Sequence, residues 1–207
     1  MARPPQDPQI RITEILDTAE PLFYASGYHE TGISDIAKKM GVAQGTIYYY
    51  FASKDQLLEA LINRKLSALT SEIKIKVHSQ KASPLNKFEI VLQSLLQAPY
   101  REDGLLFEFL FNDHTIHFLD KLARQGKKLI NSLLLEIIEE GNQQHCFNIL
   151  YPQAVINIVM TLIDSLFEII YDKSPEELLH HQSNLTEEII ETLLGVKKGS
   201  IHIIINA

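Results

Sequence analysis

Gln44, Thr46, Tyr48, Tyr49 and Tyr50 crowd one short run, QGTIYYY, and their chemistry suits the edges of base pairs. A glutamine carboxamide can make a bidentate bond to adenine, and a threonine methyl can pack on a thymine methyl. Tyrosines offer hydroxyls to phosphate and rings to base edges. Gly45 has no side chain, so the backbone there can come close to a groove. Tyrosines at helical spacing usually belong to a core. Three in succession, however, fan around a helix at about 100° per residue, so they cannot all face inward. Upstream, Thr31 and Ser34 place hydroxyls at a helix start, where they suit either a phosphate contact or plain N-capping. Lys38 and Lys39 follow on an outer face, solvated or against a nucleic-acid backbone.

These residues need two short helices to hold them. Ile33, Ile36, Ala37 and Met40 fall at i, i+3, i+4 and i+7, one face of a helix. Gly41 can take the left-handed conformation that ends it. Val42 turns inward, and Ile47 and Phe51, four apart, pin a second helix. Two short helices hinged at a glycine form a helix-turn-helix, predicted over 32–51, whose second member enters the DNA major groove. A supporting helix precedes them. It starts at Asp7-Pro8, is marked by Ile12, Ile15, Leu16, Ala19, Leu22 and Phe23, and ends at Gly27. Pro21 removes one amide inside it, so a kink is expected there. Arg3 and Arg11 are near enough in sequence to reach phosphate or a minor groove, or else are simply solvated. Ser53-x-x-Gln56 is a capping box, predicting a long helix from Lys54 to about residue 78 through Leu58, Leu61, Ile62, Leu66, Leu69, Ile73 and Val77.

The run GVAQGTIYYYFASKDQLLEAL, with TGISDIAKKM and LFYASGY before it, resembles the DNA-binding end of the TetR family of bacterial repressors over residues 10 to about 65. Gly27-Tyr28, Thr31, Ile36-Ala37, Gly41-Val42, Gly45-Thr46, Tyr48, Phe51 and Lys54 carry the resemblance. It implies an all-α protein: an N-terminal three-helix DNA-binding domain over 8–53, and a larger helical ligand-binding and dimerisation domain over 54–207. It also implies that Tyr48 and Tyr50 contact phosphate, that Gln44, Thr46 and Tyr49 contact bases, and that Lys54 binds a phosphate. A cation in the first turn of a helix is otherwise unfavourable against the helix dipole. The chain departs from the resemblance at Ala43, where many relatives carry a capping serine. A missing cap costs about 1 kcal/mol, so the recognition helix is expected to fray until DNA orders it.

Composition fits that organisation. The sequence has 207 residues, 45% of them hydrophobic, enough for a substantial core. Its single cysteine, Cys146, excludes an intramolecular disulfide and fits a reducing cytosol, so a cytoplasmic location is expected. Net charge is −7, but residues 1–81 carry 10 Lys+Arg against 9 Asp+Glu, while residues 82–207 carry 9 against 17. The acidity therefore lies away from the proposed DNA face. No leader is read at the N-terminus, and the apolar run 154–170 is broken by Asn157, Asp164 and Glu168, which argues against a membrane span.

In the larger part, helices are expected over Phe88–Leu96, over Leu105–Phe111, from Leu119 through Leu129 to Ile137 with an end at Gly141, over Val155–Ile170, and, after the acidic start Ser174-Pro175-Glu176-Glu177, through Leu185, Ile189, Ile190, Leu193 and Leu194. The run GNQQHCFNILYP reads as a loop. The helix through Val155 is apolar on two faces, so pairing of the last two long helices across a two-fold axis would bury its second face. LLFEFLFNDHTIHFL is the pocket candidate, with Phe107, Phe111 and Phe118 as walls and His114 and His117 as polar handles; ordinary core packing is the competing reading. His114 and His117 stand at i, i+3 beside Asp113, but no motif supports a metal, and none is expected; no cofactor is expected either. The expected partners are a double-stranded, pseudo-palindromic DNA operator, a second copy of the chain and a small, largely apolar effector. No nucleophile elbow, phosphate-binding loop or dinucleotide glycine motif is present, so an enzyme is not expected. The alternative is a helical small-molecule-binding or scaffold protein without DNA binding. The apolar tail 201–205 has no assigned place beyond a contact at a dimer edge.

Overall fold

A computed structural model of the chain describes residues 7–79, 81–100 and 116–205, with the side chains of Pro99 and of 116–123 excepted. All regular structure among them is helical. The helices are α1 (Pro8–Ser26), α2 (Ile33–Met40), α3 (Gln44–Tyr50), α4 (Lys54–Ser79), α5 (Pro84–Leu96), α6 (Ile116–Gln143), α7 (Pro152–Tyr171) and α8 (Glu176–Leu194), with a 3-10 turn at Ala98–Tyr100. The chain divides into two compact units, Met1–Leu66 and Ser67–Ala207. The division falls inside α4, because Leu57, Leu58, Leu61 and Ile62 are buried with the first unit while Leu69, Ile73 and Val77 join the core of the second.

In the first unit, α1 starts as its sequence dictates: the Asp7 carboxylate accepts the Gln9 amide at 2.9 Å, and Pro8 sits where its missing N–H costs nothing. The helix runs on through Pro21 without ending, burying Ile15, Leu16, Ala19 and Phe23. α2 buries Ile33, Ile36 and Ala37 and stops at Gly41, whose φ of 67° is the left-handed conformation. There the Val42 amide donates back to the Ala37 carbonyl at 3.0 Å, closing the last turn. α2 packs on α1 and on α3. Arg64 of α4 pairs with Asp17 at 2.6 Å and with Glu20 at 2.9 Å, and Lys65 also reaches Glu20, so α4 is tied to α1 by charge as well as by leucines.

In the second unit, α6 packs on α5 and α7, and α7 also packs on α5 and α8. Two expectations fail here. Leu129, counted in the inner stripe of α6, is 47% exposed. Gly141 does not end α6, which continues to Gln143; a side chain at 141 would meet the Phe147 ring at 2.0 Å, so the glycine admits that ring. Phe147 and Ile149 are buried and anchor the loop before α7, and Asn142 holds it by exchanging bonds with Ile149 at 2.9 and 3.0 Å. After α8 and a turn at 198–199, the segment 200–205 runs without regular structure over its own unit. Glu191 accepts the amides of Ser200 and Ile201, Glu89 that of His202, Glu187 that of Ile203, and Gln93 that of Ile204, at 2.6 to 3.1 Å.

α7 is long and apolar enough to cross a membrane, with a mean hydropathy of 1.8 in its most apolar window, of which 33% is buried. Its partners in the fold, α5, α6 and α8, are those of a core helix.

Candidate nucleic-acid interface

α3 is short, and one contact row fixes it. Ile47 is fully buried and Phe51 nearly so, at 0% and 6% exposure. With the inner face held there, Gln44, Gly45, Tyr48 and Tyr49 are exposed and Thr46 and Tyr50 half-buried. Tyr49 stands out at 81% exposure, and its ring meets that of Tyr50 edge-on, centroids 5.0 Å apart. The pair stiffens a protruding aromatic edge that an isolated tyrosine would lack. Space above Gly45 is open, with no atom within 4 Å of where a side chain would start. Ala43 precedes the helix in extended backbone and makes no side-chain cap. The first turn of α3 thus holds unsatisfied amides that only solvent or a ligand can meet.

Two residues expected at phosphate have other work. Thr31 is 2% exposed, and its hydroxyl bonds the carbonyls of Gly27 at 2.8 Å and Leu22 at 3.1 Å. It ties the end of α1 to the turn before α2 and presents no oxygen outward. Lys54 likewise turns inward. Its ammonium donates to the carbonyls of Tyr28 at 2.8 Å, Thr31 at 3.1 Å and His29 at 3.3 Å, and lies 4.3 Å from the centre of the Tyr28 ring. All three donors of an ammonium are then spent on the loop between α1 and α2, which relieves the dipole conflict at the α4 start without a phosphate. Arg11 pairs with Glu14 at 2.8 Å. Ser34 is exposed, but the amide of Gly32 beside it is already taken by the Asp35 carboxylate at 2.8 Å.

The loop that Lys54 clamps contains the residue most perturbed in this unit. The Tyr28 hydroxyl bonds the Asp55 carboxylate. Burial first, and then that bond and charge, push the phenol far above its ordinary range. Tyr28, Lys54 and Asp55 form a buckle joining the α1–α2 turn to the start of α4. The sequence signals it only as Gly27-Tyr28 followed by Lys54-Asp55, with nothing to show that the two dipeptides meet. The capping box is present in altered form: Ser53 Oγ accepts the Gln56 amide at 3.1 Å, while Gln56 reaches back to Ala52 at 3.0 Å.

Of the pocket candidates, Phe107, Phe111 and His114 lie outside the described residues. His117 and Phe118 belong to the first turn of α6, and their side chains are likewise outside the description. Among the described residues, no three His, Cys, Asp or Glu side chains gather as a metal site would require.

Comparison with known proteins agrees with this geometry. The sequence profile of bacterial regulatory proteins of the tetR family matches residues 15–61, from the middle of α1 into α4. The fatty acid metabolism regulator protein of Bacillus subtilis is 28% identical over 130 residues, a match covering 62% of this chain and 61% of that protein. The transcriptional repressor KstR2 of Mycobacterium tuberculosis is 25% identical over 137 residues, covering 63% and 68%. Among solved structures, the regulator FadR of Bacillus subtilis in complex with stearoyl-CoA superposes with a TM-score of 0.66 at 23% identity, covering 92% of this chain and 99% of that one. A TetR regulator from Haloarcula marismortui superposes with a TM-score of 0.71 at 19% identity, over 90% and 97%. A profile centred on α2 and α3, similar proteins that are transcriptional regulators, and a shared fold across both units converge: residues 15–61 carry the DNA-binding domain of the TetR family of transcriptional regulators, and the remainder has the fold of its solved members.

Proposed function

We propose that the chain acts as a homodimeric, sequence-specific repressor. α3 enters the major groove of a pseudo-palindromic double-stranded operator, and a small, largely apolar effector releases it. The observation that carries the reading is a helix seated by a fully buried Ile47 that leaves Tyr49 81% exposed beside Gln44 and Tyr48. Gln44, Thr46 and Tyr49 read bases; Ser34, Tyr48 and Tyr50 meet phosphate. Gly45 admits the backbone to the groove.

Dimerisation is supported by apolar surface that the single chain leaves uncovered. Ile158 on α7 and Leu178 and Leu185 on α8 are 45%, 47% and 52% exposed, and Leu162 and Ile169 are only partly covered. Joined across a two-fold axis, these stripes form a four-helix contact. The effector reading draws on FadR, captured with stearoyl-CoA, and on the apolar composition of LLFEFLFNDHTIHFL. An effector acts by favouring a head separation that the operator does not accept, and only to the extent of its differential affinity. The protein works in the cytoplasm, with no catalytic role and no membrane partner.

Fluorescence anisotropy with DNA from upstream of the gene, against a scrambled duplex of equal length, tests this. The expected preference is at least about a thousandfold at physiological salt. Replacing Tyr49 with Ala weakens the upstream duplex more than the scrambled one. Equal affinity of the unaltered chain for both would remove the regulator reading.

A further inference from the structure

The first unit has few cations to spare for a phosphate. Residues 7–66 contain six: Arg11, Lys38, Lys39, Lys54, Arg64 and Lys65. Four are engaged within the protein. Glu14 pairs with Arg11, Asp17 and Glu20 with Arg64, and Glu20 with Lys65, while three carbonyls take up Lys54. A cation balanced by a carboxylate, or with its three donors taken, adds little where a duplex must be neutralised. Lys38 and Lys39 remain. Both are exposed on the outer face of α2, opposite the buried Ile33, Ile36 and Ala37, and neither has a hydrogen bond or ion pair among the described residues.

The two lysines are not equivalent. A helix stacks residues four apart in one row. Lys39 follows Asp35 in its row, an acid ahead of a base, which is the favourable order. That carboxylate also holds the Gly32 amide at 2.8 Å, so it is fixed at the start of α2 as a standing negative charge one turn from Lys39. Lys38 instead follows Ser34, which is uncharged and exposed. The Ser34–Lys38 row thus offers a hydroxyl and an ammonium with no acid between them. In a helix-turn-helix the first helix crosses the DNA backbone while the second lies in the groove. A row on the outer face of α2 therefore meets phosphate and not base edges.

We propose that Lys38 is the phosphate-neutralising cation of each head, in the place that Lys54 gives up to the fold. This rests on the operator reading above and identifies the residue behind the salt-dependent part of the affinity. Lys39 stays a solvated charge offset by Asp35.

Anisotropy with the upstream and scrambled duplexes, repeated from 50 to about 200 mM salt, tests it. Each neutralised phosphate adds about −0.9 to the slope of log affinity against log salt, so a fourfold rise in salt costs a factor of about 3.5 for each. Lys38→Gln should make the slope shallower by about 0.9 per head. It should weaken both duplexes alike, whereas Tyr49→Ala changes the ratio between them. Lys38→Arg should restore both slope and affinity. Lys39→Gln should alter the slope less than Lys38→Gln does. Thermal unfolding should be nearly unchanged in all three lysine variants, since neither side chain is buried. A preference for the upstream duplex with the same salt slope in Lys38→Gln would overturn the proposal and leave the operator reading standing. So would a slope flattened as much by Lys39→Gln, or one that Lys38→Arg fails to restore. An unaltered chain without preference for the upstream duplex would remove both.

Discussion

Lys54 shows how one side chain can carry a family motif and yet do structural work. A lysine in the first turn of a helix has an unfavourable place, and sequence reasoning resolves it with a phosphate. The fold resolves it with three carbonyls and a tyrosine ring. Lys54→Met should therefore destabilise the chain by about 2–3 kcal/mol, since bonds to a charged donor are worth about 1.5–3 kcal/mol each and these are partly solvated. It should leave the slope of log affinity against log salt unchanged. Removing a lysine that neutralises phosphate makes that slope shallower by about one. Thermal unfolding and a salt titration of operator binding, read together, decide between the two roles; a slope reduced by one returns Lys54 to the DNA. Thr31 follows the same logic, its hydroxyl consumed by Gly27 and Leu22. A sequence shows which groups can donate, but not which carbonyls the fold will bring to them, so these two assignments were out of its reach.

At the scale of elements, two glycines inside helices make opposite demands. Gly45 in α3 looks into open space, while Gly141 in α6 faces the Phe147 ring at 2.0 Å from where a side chain would begin. Alanine gains about 0.5–1 kcal/mol over glycine in a helix interior, so Gly45→Ala should stabilise the free chain by about that amount. It should nonetheless weaken operator binding, because the new methyl stands between backbone and groove. Gly141→Ala should destabilise by about 1–3 kcal/mol, since overpacking outweighs the propensity gain. Denaturant unfolding of both variants, with anisotropy for the first, checks the contrast; a stabilised Gly141→Ala would show that the Phe147 ring moves aside freely. The starts of the first four helices were legible because capping, proline placement and apolar spacing are local; α5, expected from Phe88, begins a turn earlier at Pro84, where the Ser83 hydroxyl accepts the Asn86 amide. The end of α6 was not, because a glycine that stops a helix and one that admits a distant ring look alike in sequence. The inner stripe of α6 misled at Leu129 for a related reason: spacing assigns a leucine to a face, but the neighbouring helices decide how far that face is covered.

At the scale of the molecule, a near-neutral head and an acidic remainder suit a protein that must find one site without clinging to all DNA. Two such heads reach successive major grooves when their recognition helices stand about 34–36 Å apart, or a multiple of that. This requires the second copy proposed to pack on the uncovered stripes of α7 and α8. Leu185→Glu, placing a carboxylate on a 52% exposed leucine, should leave the single chain folded and convert a dimer to a monomer in sedimentation. Operator affinity should fall with it, toward that of one half-site. A chain already monomeric before substitution would exclude the two-headed arrangement. The doubly apolar pattern of α7 foreshadowed this surface.

The segment after α8 has a consequence of its own. Its successive amides are held by side chains of α5 and α8, three of them glutamates, and not by a neighbouring strand. Such a seat grips main chain through these bonds and side chain through Ile201, which is 1% exposed in the core, with Ile203 and Ile205 packed against it. Its grip is also acid-labile. For Glu191, burial alone would raise the carboxyl's affinity for protons, but the amides of Ile201, Gly199 and Ser200 and the nearby His202 outweigh it and bring the pKa below the ordinary value. The stabilisation is therefore present above the unfolded-state pKa and disappears as acidification passes the folded one. Acid below the ordinary carboxyl range therefore unfastens the segment at Glu191, where one side chain holds two successive amides, Ser200 and Ile201.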